Sequence, residues 1–337
     1  MIKKLLLYLV LFSTQFAYAN QLNVVTSLSQ SDPMYHGLVK FKQLVADKSR
    51  GDLSIRIFIG SQLGNDNDIL EQAMAGAAIA VLVDGGRLSF YQHEIGILGA
   101  PYLLNDLDEL NQLVHSPMFA QWAEQLANNS GIKILAFNWW QGERHVLSNK
   151  RIDEPTDLSG VRLRTIGAPV WIETIKAMGA TPTPLAWAEV YSGLQQKVID
   201  GAEAQHAGTY GARLYEVISY INKTGHINLI SGLVASNGWF EQLTSMQQQI
   251  VVESANEAGA YATQLVTNME ADIETKLVAQ GVQIHIPDKS QFKRATGVVY
   301  KNLGYQKLKQ KIETYLNNPK ADSLLIKTKH SGQYYVE

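Results

Sequence analysis

Eight histidines, 31 acidic and 29 basic residues are the titratable material from which this 337-residue chain could build a reactive centre. Their spacing builds none of the familiar ones. There is no GxSxG elbow for an activated serine, no HExxH helix for zinc, no P-loop, and no GxGxxG turn after a strand. No two histidines stand at i, i+4 on a plausible helix, so His145, His206 and His226 are expected to be satisfied polar or surface residues and not metal ligands. Asp106, Asp108 and Glu109 read as a solvated helix start, because any two carboxylates can be nominated as acid and base. Zero cysteines exclude disulfides, thiolate metal sites, Fe–S clusters and cysteine nucleophiles. No catalytic residue, cofactor or metal is expected. The weight shifts to binding.

The elements that would carry a binding site are legible as periodicity. Leu53, Ile55, Ile57 and Ile59 alternate along one strand face, and Asp68–Ala78 follows with helical spacing. Apolar runs at Ala78–Val83 and Ile132–Phe137 suit buried strands; Val161, Leu163 and Thr165 face one side of a strand, Arg162 and Arg164 the other. Pro169 opens a helix that Gly179 can close. Thr244 to Gln280 holds no proline, begins at a capping threonine and stops at Gly281, which predicts one helix of roughly 55 Å or two broken at Gly259. Strands alternating with helices predict an α/β fold. A formal charge of −2 excludes a basic nucleic-acid binder, and 46% hydrophobic residues suffice for a substantial core. Residues 1–19 read as a signal peptide: Lys3 and Lys4, an apolar stretch from Leu5 to Phe12, then Ala17-Tyr18-Ala19 before the cut. The mature chain is therefore expected in a bacterial periplasm.

One block is far more specific. Asp157-Leu158-Ser159-Gly160-Val161-Arg162-Leu163-Arg164 is followed by Gly179-Ala180-Thr181-Pro182-Thr183-Pro184. Then come Trp187-Ala188-Glu189-Val190-Tyr191, Leu194-Gln195, and Asp200-Gly201-Ala202-Glu203. With Gly60-Ser61-Gln62-Leu63-Gly64 and Gly142-Glu143-Arg144 in support, the series resembles the DctP-type solute-binding proteins of TRAP transporters. The resemblance implies a two-lobed periplasmic solute-binding protein fold with a long helix spanning both lobes. Lobe 1 would be 20–141 plus 230–269, lobe 2 142–229 plus 270–320, and 321–337 a polar tail. It further implies a monomer that captures a small organic acid (dicarboxylate, keto acid, aromatic acid or sugar acid) and delivers it to ion-gradient-driven permease subunits. The alternatives are a secreted enzyme acting on a carboxylate and a sensor of the same fold.

By that resemblance Arg164 pairs with the ligand carboxylate, for which a planar guanidinium fork is matched, while Arg162 stays outside the pocket. Arg144 is a second family arginine; Trp187 packs on the ligand, and Trp140 stands where an aromatic is common. Asp84 and Asp66 are acidic candidates, and Trp139 is assigned to the core. The chain departs from the family at Ala204, where many relatives carry a ligand-binding Asn. Gln205 beside it would point away if the strand continued. That departure, with two tryptophans, counts against a sialic-acid-like ligand and leaves aromatic, keto and dicarboxylic acids open.

Overall fold

The computed structural model describes residues 20–318; the expected signal segment 1–19 and the tail 321–337 lie outside them. Its strands are β1 (Asn20–Val25), β2 (Leu53–Phe58), β3 (Ile79–Asp84), β4 (Ile132–Ser148) and β5 (Arg162–Thr165). They continue with β6 (Thr181–Pro184), β7 (Gly201–Ala204), β8 (Tyr220–Ser236) and β9 (Gln283–His285). All nine join one sheet, ordered β2-β1-β3-β8-β4-β7-β5-β6, with β9 on β8. Strands β1, β2 and β3 run parallel at one end, and β5, β6 and β7 at the other. The antiparallel pair β4 and β8 lies between them and passes through both halves.

The apolar run at 132–137 predicts a six-residue strand; β4 is 17 residues long. Asn138 to His145 breaks the hydrophobic pattern, yet the ladder to β8 continues through four register shifts between Ile134 and Val146. Bulges of this kind re-aim side chains without ending pairing, so polar residues stay in the strand and turn into the interior.

The long helix is Ser245–Ala279, about 52 Å at 1.5 Å per residue. Thr244 accepts from the Gln247 amide while the Gln247 side chain accepts from the Thr244 amide. This capping box satisfies two otherwise free donors. Gly281, at φ +94°, follows the last turn. The helix does not break at Gly259. A Cβ there would stand 2.1 Å from Asn138 Oδ1 and 2.7 Å from Trp139 Nε1. The glycine is a point of close approach to β4.

Val251, Ala255, Ala258, Ala262 and Val266 of this helix enter the large core around β1 and β3, whereas Ile273 and Leu277 enter a second core with Val190, Ile199 and Ile221. One rigid element therefore belongs to both halves of a two-lobed α/β fold. Val299, Tyr300, Tyr305 and Ile312 bury in the large core. Tyr300 and Tyr305 donate their hydroxyls to the carbonyls of Pro101 and His93, at 2.7 and 2.9 Å. No described helix is long and apolar enough to cross a membrane.

Candidate functional site

Parallel strands of α/β sheets present their carboxyl ends to a shared crevice. Here Thr26 and Ser27 follow β1, Asp84 ends β3, Arg164 lies near the end of β5, and Gln205 follows β7. All of them line one cavity. Arg144 and Gln141 reach it from β4, and Ser231 from β8. Of the residues expected at the site, Arg164, Arg144, Trp187, Asp84 and Asp66 surround this cavity.

Trp140 does not. Its indole donates to Asn228 Oδ1 at 3.1 Å and its ring packs in the first core. The strand's irregular register here decides which side chains reach the cavity, and Gln141 does instead. Trp139, assigned to the core, is fully buried there. Arg162 is exposed, forked onto Asp200 at 2.7 and 2.9 Å.

Three arginines face the cavity in unequal states. Arg87, hydrogen-bonded to Asp84 at 2.5 Å, also pairs with Asp66 at 3.1 Å. Burial opposes its charge, but the two carboxylates outweigh that and hold its pKa above the ordinary value. Arg144 stacks over Trp171 with its guanidinium carbon 5.0 Å from the ring centre. It gives Nε to the carboxylate and Nη2 to the carbonyl of Glu203, and Nη1 to Gln205 Oε1 at 3.0 Å.

Arg164 is the least compensated of the three. It is 1% exposed. Its Nε and Nη2 donate to the Leu185 carbonyl at 2.9 and 2.8 Å, and its guanidinium carbon lies 5.3 Å from the Trp187 ring centre. Nη1 has no hydrogen-bond partner, and its nearest carboxylate oxygen, on Glu203, is 4.0 Å away. Burial first, then the neighbouring Arg144 and Arg87, push this guanidinium down to about 9 against the pull of Glu203. It remains a cation at neutral pH, in want of an anion.

Arg87, Gln141 and Ser231 also line the cavity and were not singled out from sequence, and Gln205 was expected to point away. For Gln205 the alternation argument fails because β7 ends at Ala204; Gln205 is the residue that turns the chain into the helix His206–Gly211. A sharp strand-to-helix turn resets side-chain direction. Arg87 offered a signal in standing three residues past Asp84 across two glycines: a Cβ on Gly86 would lie 2.1 Å from Trp171 Nε1, so the glycine admits the indole that donates to Asp84 at 2.9 Å.

The histidines differ from expectation. His145, His206 and His226 are all buried, and each has a ring nitrogen without a partner. His145, His206 and Glu270 bring potential ligand atoms within 4.8 Å of one another. The Gly225 amide, however, donates to His145 Nδ1 at 3.1 Å. The neutral ring then keeps its proton on Nε2, where a metal would need a lone pair. Burial, then His206 and His226, hold His145 well below the usual imidazole range, which keeps it neutral.

Residues 24–307 match the family described as bacterial extracellular solute-binding protein, family 7 (DctP). A TRAP periplasmic solute-binding protein of Escherichia fergusonii, in an apo open structure, is 41% identical at a TM-score of 0.77, covering 87% of this chain and 99% of that one. One from Actinobacillus succinogenes 130Z with bound L-galactonate is 29% identical at 0.84, over 87% and 99% of the two chains. One from Ochrobacterium anthropi with bound L-fuconate is 31% identical at 0.85, over 88% and 99%. Buried cationic cleft, shared long helix and family match agree: this chain belongs to the DctP family of TRAP periplasmic solute-binding proteins, which bind solutes for transport and are not enzymes.

Proposed function

We propose that this protein captures a sugar-acid anion in the cleft, seats its carboxylate on Arg164, and hands it to the membrane subunits of a TRAP permease from the periplasm. The observation that carries the reading is the partnerless, buried Nη1 of Arg164 beside Trp187. Leu185 pins the other edge of the guanidinium, so the free nitrogen is preorganised for an anion. Polar groups on strands and just past strand ends (Thr26, Ser27, Gln141, Gln205, Ser231) suit a polyhydroxylated chain better than an aromatic ring. Of the two tryptophans that left aromatic acids open, Trp140 packs in the core. The L-galactonate and L-fuconate held by two relatives support the same ligand class.

A thermal-shift and calorimetric screen tests this, using L-galactonate, L-fuconate and D-gluconate against succinate, pyruvate and benzoate. A true ligand at 100 times its Kd should stabilise the fold by about 2.7 kcal/mol. Stabilisation by succinate or benzoate with none by any sugar acid would overturn the assignment.

A further inference from the structure

A second carboxylate on the ligand would find no uncompensated cation in the cleft. Among the described residues, three arginines and no lysine or histidine line the cavity. In the sugar-acid reading Arg164 takes the first carboxylate. Arg144 is neutralised by Glu203, and the chain of donors it leads, through Gln205 and Gln141 to Ser231, carries no charge. Arg87 has one charge and faces two, Asp84 at 2.5 Å and Asp66 at 3.1 Å. An adjoining groove shares Ser27, Asp66, Arg87 and Trp187 with the cavity; it adds Glu189 and no further cation. A ligand reaching from Arg164 into either space meets an Arg87 already outnumbered by carboxylates.

We propose that Asp66 is a charge filter: by sharing Arg87 with Asp84 it denies the cleft a second anion seat, so that the protein rejects sugar diacids that match its ligand at every other carbon. A hydroxyl at the far end of the ligand can donate to a free lone pair of Asp66 or Asp84. A carboxylate at that end has no hydrogen to donate. It would be a third anion around one cation, and a buried charge without its counter-charge is costly. Neutral donors on the wall can hydrogen-bond it but do not supply the missing charge. Solvent screens the repulsion little, because the Asp66 and Arg87 side chains are each only 14% exposed. One aspartate would neutralise Arg87; the second acts against an unwanted ligand, which is how specificity is often built.

This inference rests on the sugar-acid reading, and its test separates the two. Calorimetry would compare D-gluconate with D-glucarate and L-galactonate with galactarate, together with the monoamide of each diacid, which has the diacid's size without its second charge. Burial raises the Asp66 pKa against the pull of Arg87, so the comparison is made at pH 8, well above the carboxylate range. The wild type should bind each monoacid and monoamide about tenfold or more tighter than the diacid. In Asp66→Asn that penalty should shrink toward one. Adding Arg87→Met should bring it back, since the released guanidinium is gone and Asp84 is left alone with the diacid. Uniform losses of affinity cancel in these ratios, and Asp66→Ala serves if Asp66→Asn fails to fold. Equal binding of monoacid and diacid by the wild type, equal rejection of diacid and monoamide, or an unchanged penalty in the Asp66 variants overturns this inference alone. No binding by any sugar acid overturns the functional reading and this inference with it.

Discussion

Arg164 and Asp32 show how burial acts on single residues. Removing Arg164 would strand a ligand carboxylate inside the closed cleft, and truncating one partner of a buried charge pair typically costs about 2–5 kcal/mol. Arg164→Ala should thus weaken sugar-acid binding by roughly 30- to 4,000-fold at 1.4 kcal/mol per decade. Arg164→Lys should recover part, since charge returns without the fork. Arg162→Ala, at the exposed pair with Asp200, is the control and should change affinity little. Isothermal calorimetry decides it: a loss of only a few-fold in Arg164→Ala removes the central contact. Asp32 is buried while capping the helix Pro33–Lys48 through the Met34 amide at 2.9 Å. Burial raises its pKa from 3.8 to about 6, against that hydrogen bond. Between those values the folded chain holds more protons than the unfolded, so stability falls as pH rises through the window and levels off above it. The full effect is about 3 kcal/mol at 1.36 kcal/mol per unit. Asp32→Asn keeps a capping oxygen and should flatten this slope in urea titrations from pH 4 to pH 7. Identical slopes would show that Asp32 is not the titrating group.

At the scale of elements, the long helix and β4 are locked by small residues. Trp139 sits between Gly37 and Gly259, whose added Cβ atoms would meet the indole at 2.6 and 2.7 Å. Gly259→Ala would gain about 1 kcal/mol of helix propensity, but overpacking a close contact costs about 1–3 kcal/mol. A melting temperature below wild type is expected, with ligand affinity per folded molecule little changed. A higher midpoint would mean that β4 yields and the propensity gain wins. Hydrogen bonds from Thr263 to the Asn138 carbonyl and from the Trp140 amide to Thr263 tie the same two elements, so the strain has little room to relax.

For the whole molecule, the comparison with relatives bears on closure. The 41% identical relative in an open form superposes less well than ligand-bound relatives near 30% identity, at 0.77 against 0.84 and 0.85. Sequence divergence alone would order them the other way; the observed order is the one expected if this chain is set closed. Arg164 and Arg144, 1% and 3% exposed, could not receive a ligand without opening. Opening should hinge where β4 and β8 cross between lobes, as domain closure does elsewhere. Small-angle scattering should show a larger radius of gyration for the ligand-free protein than for the protein saturated with its sugar acid. Equal radii would rule out closure on binding.

The residues themselves determined the α/β alternation, the helical stretch from the Thr244 cap to Gly281, the lack of any familiar catalytic motif, and the family block that singled out Arg164. Each is a local signal: a period, a cap, a run of types. That the helix runs unbroken past Gly259 was decided by the structure. Which side chains meet in the cleft was decided only by the tertiary structure. Arg144, Gln205, Gln141 and Ser231 lie up to 90 residues apart, and a chain of donors has no periodicity to read. Trp140 and Gln141 exchanged roles because bulges in β4 reset its facing, and Gln205 entered the site because β7 stops one residue before it. Which histidines are buried was decided in the same way, since burial is conferred by neighbours distant in sequence. Spacing records what one element does alone; the cleft is made by strands from both lobes converging, and that convergence leaves its trace only in three dimensions.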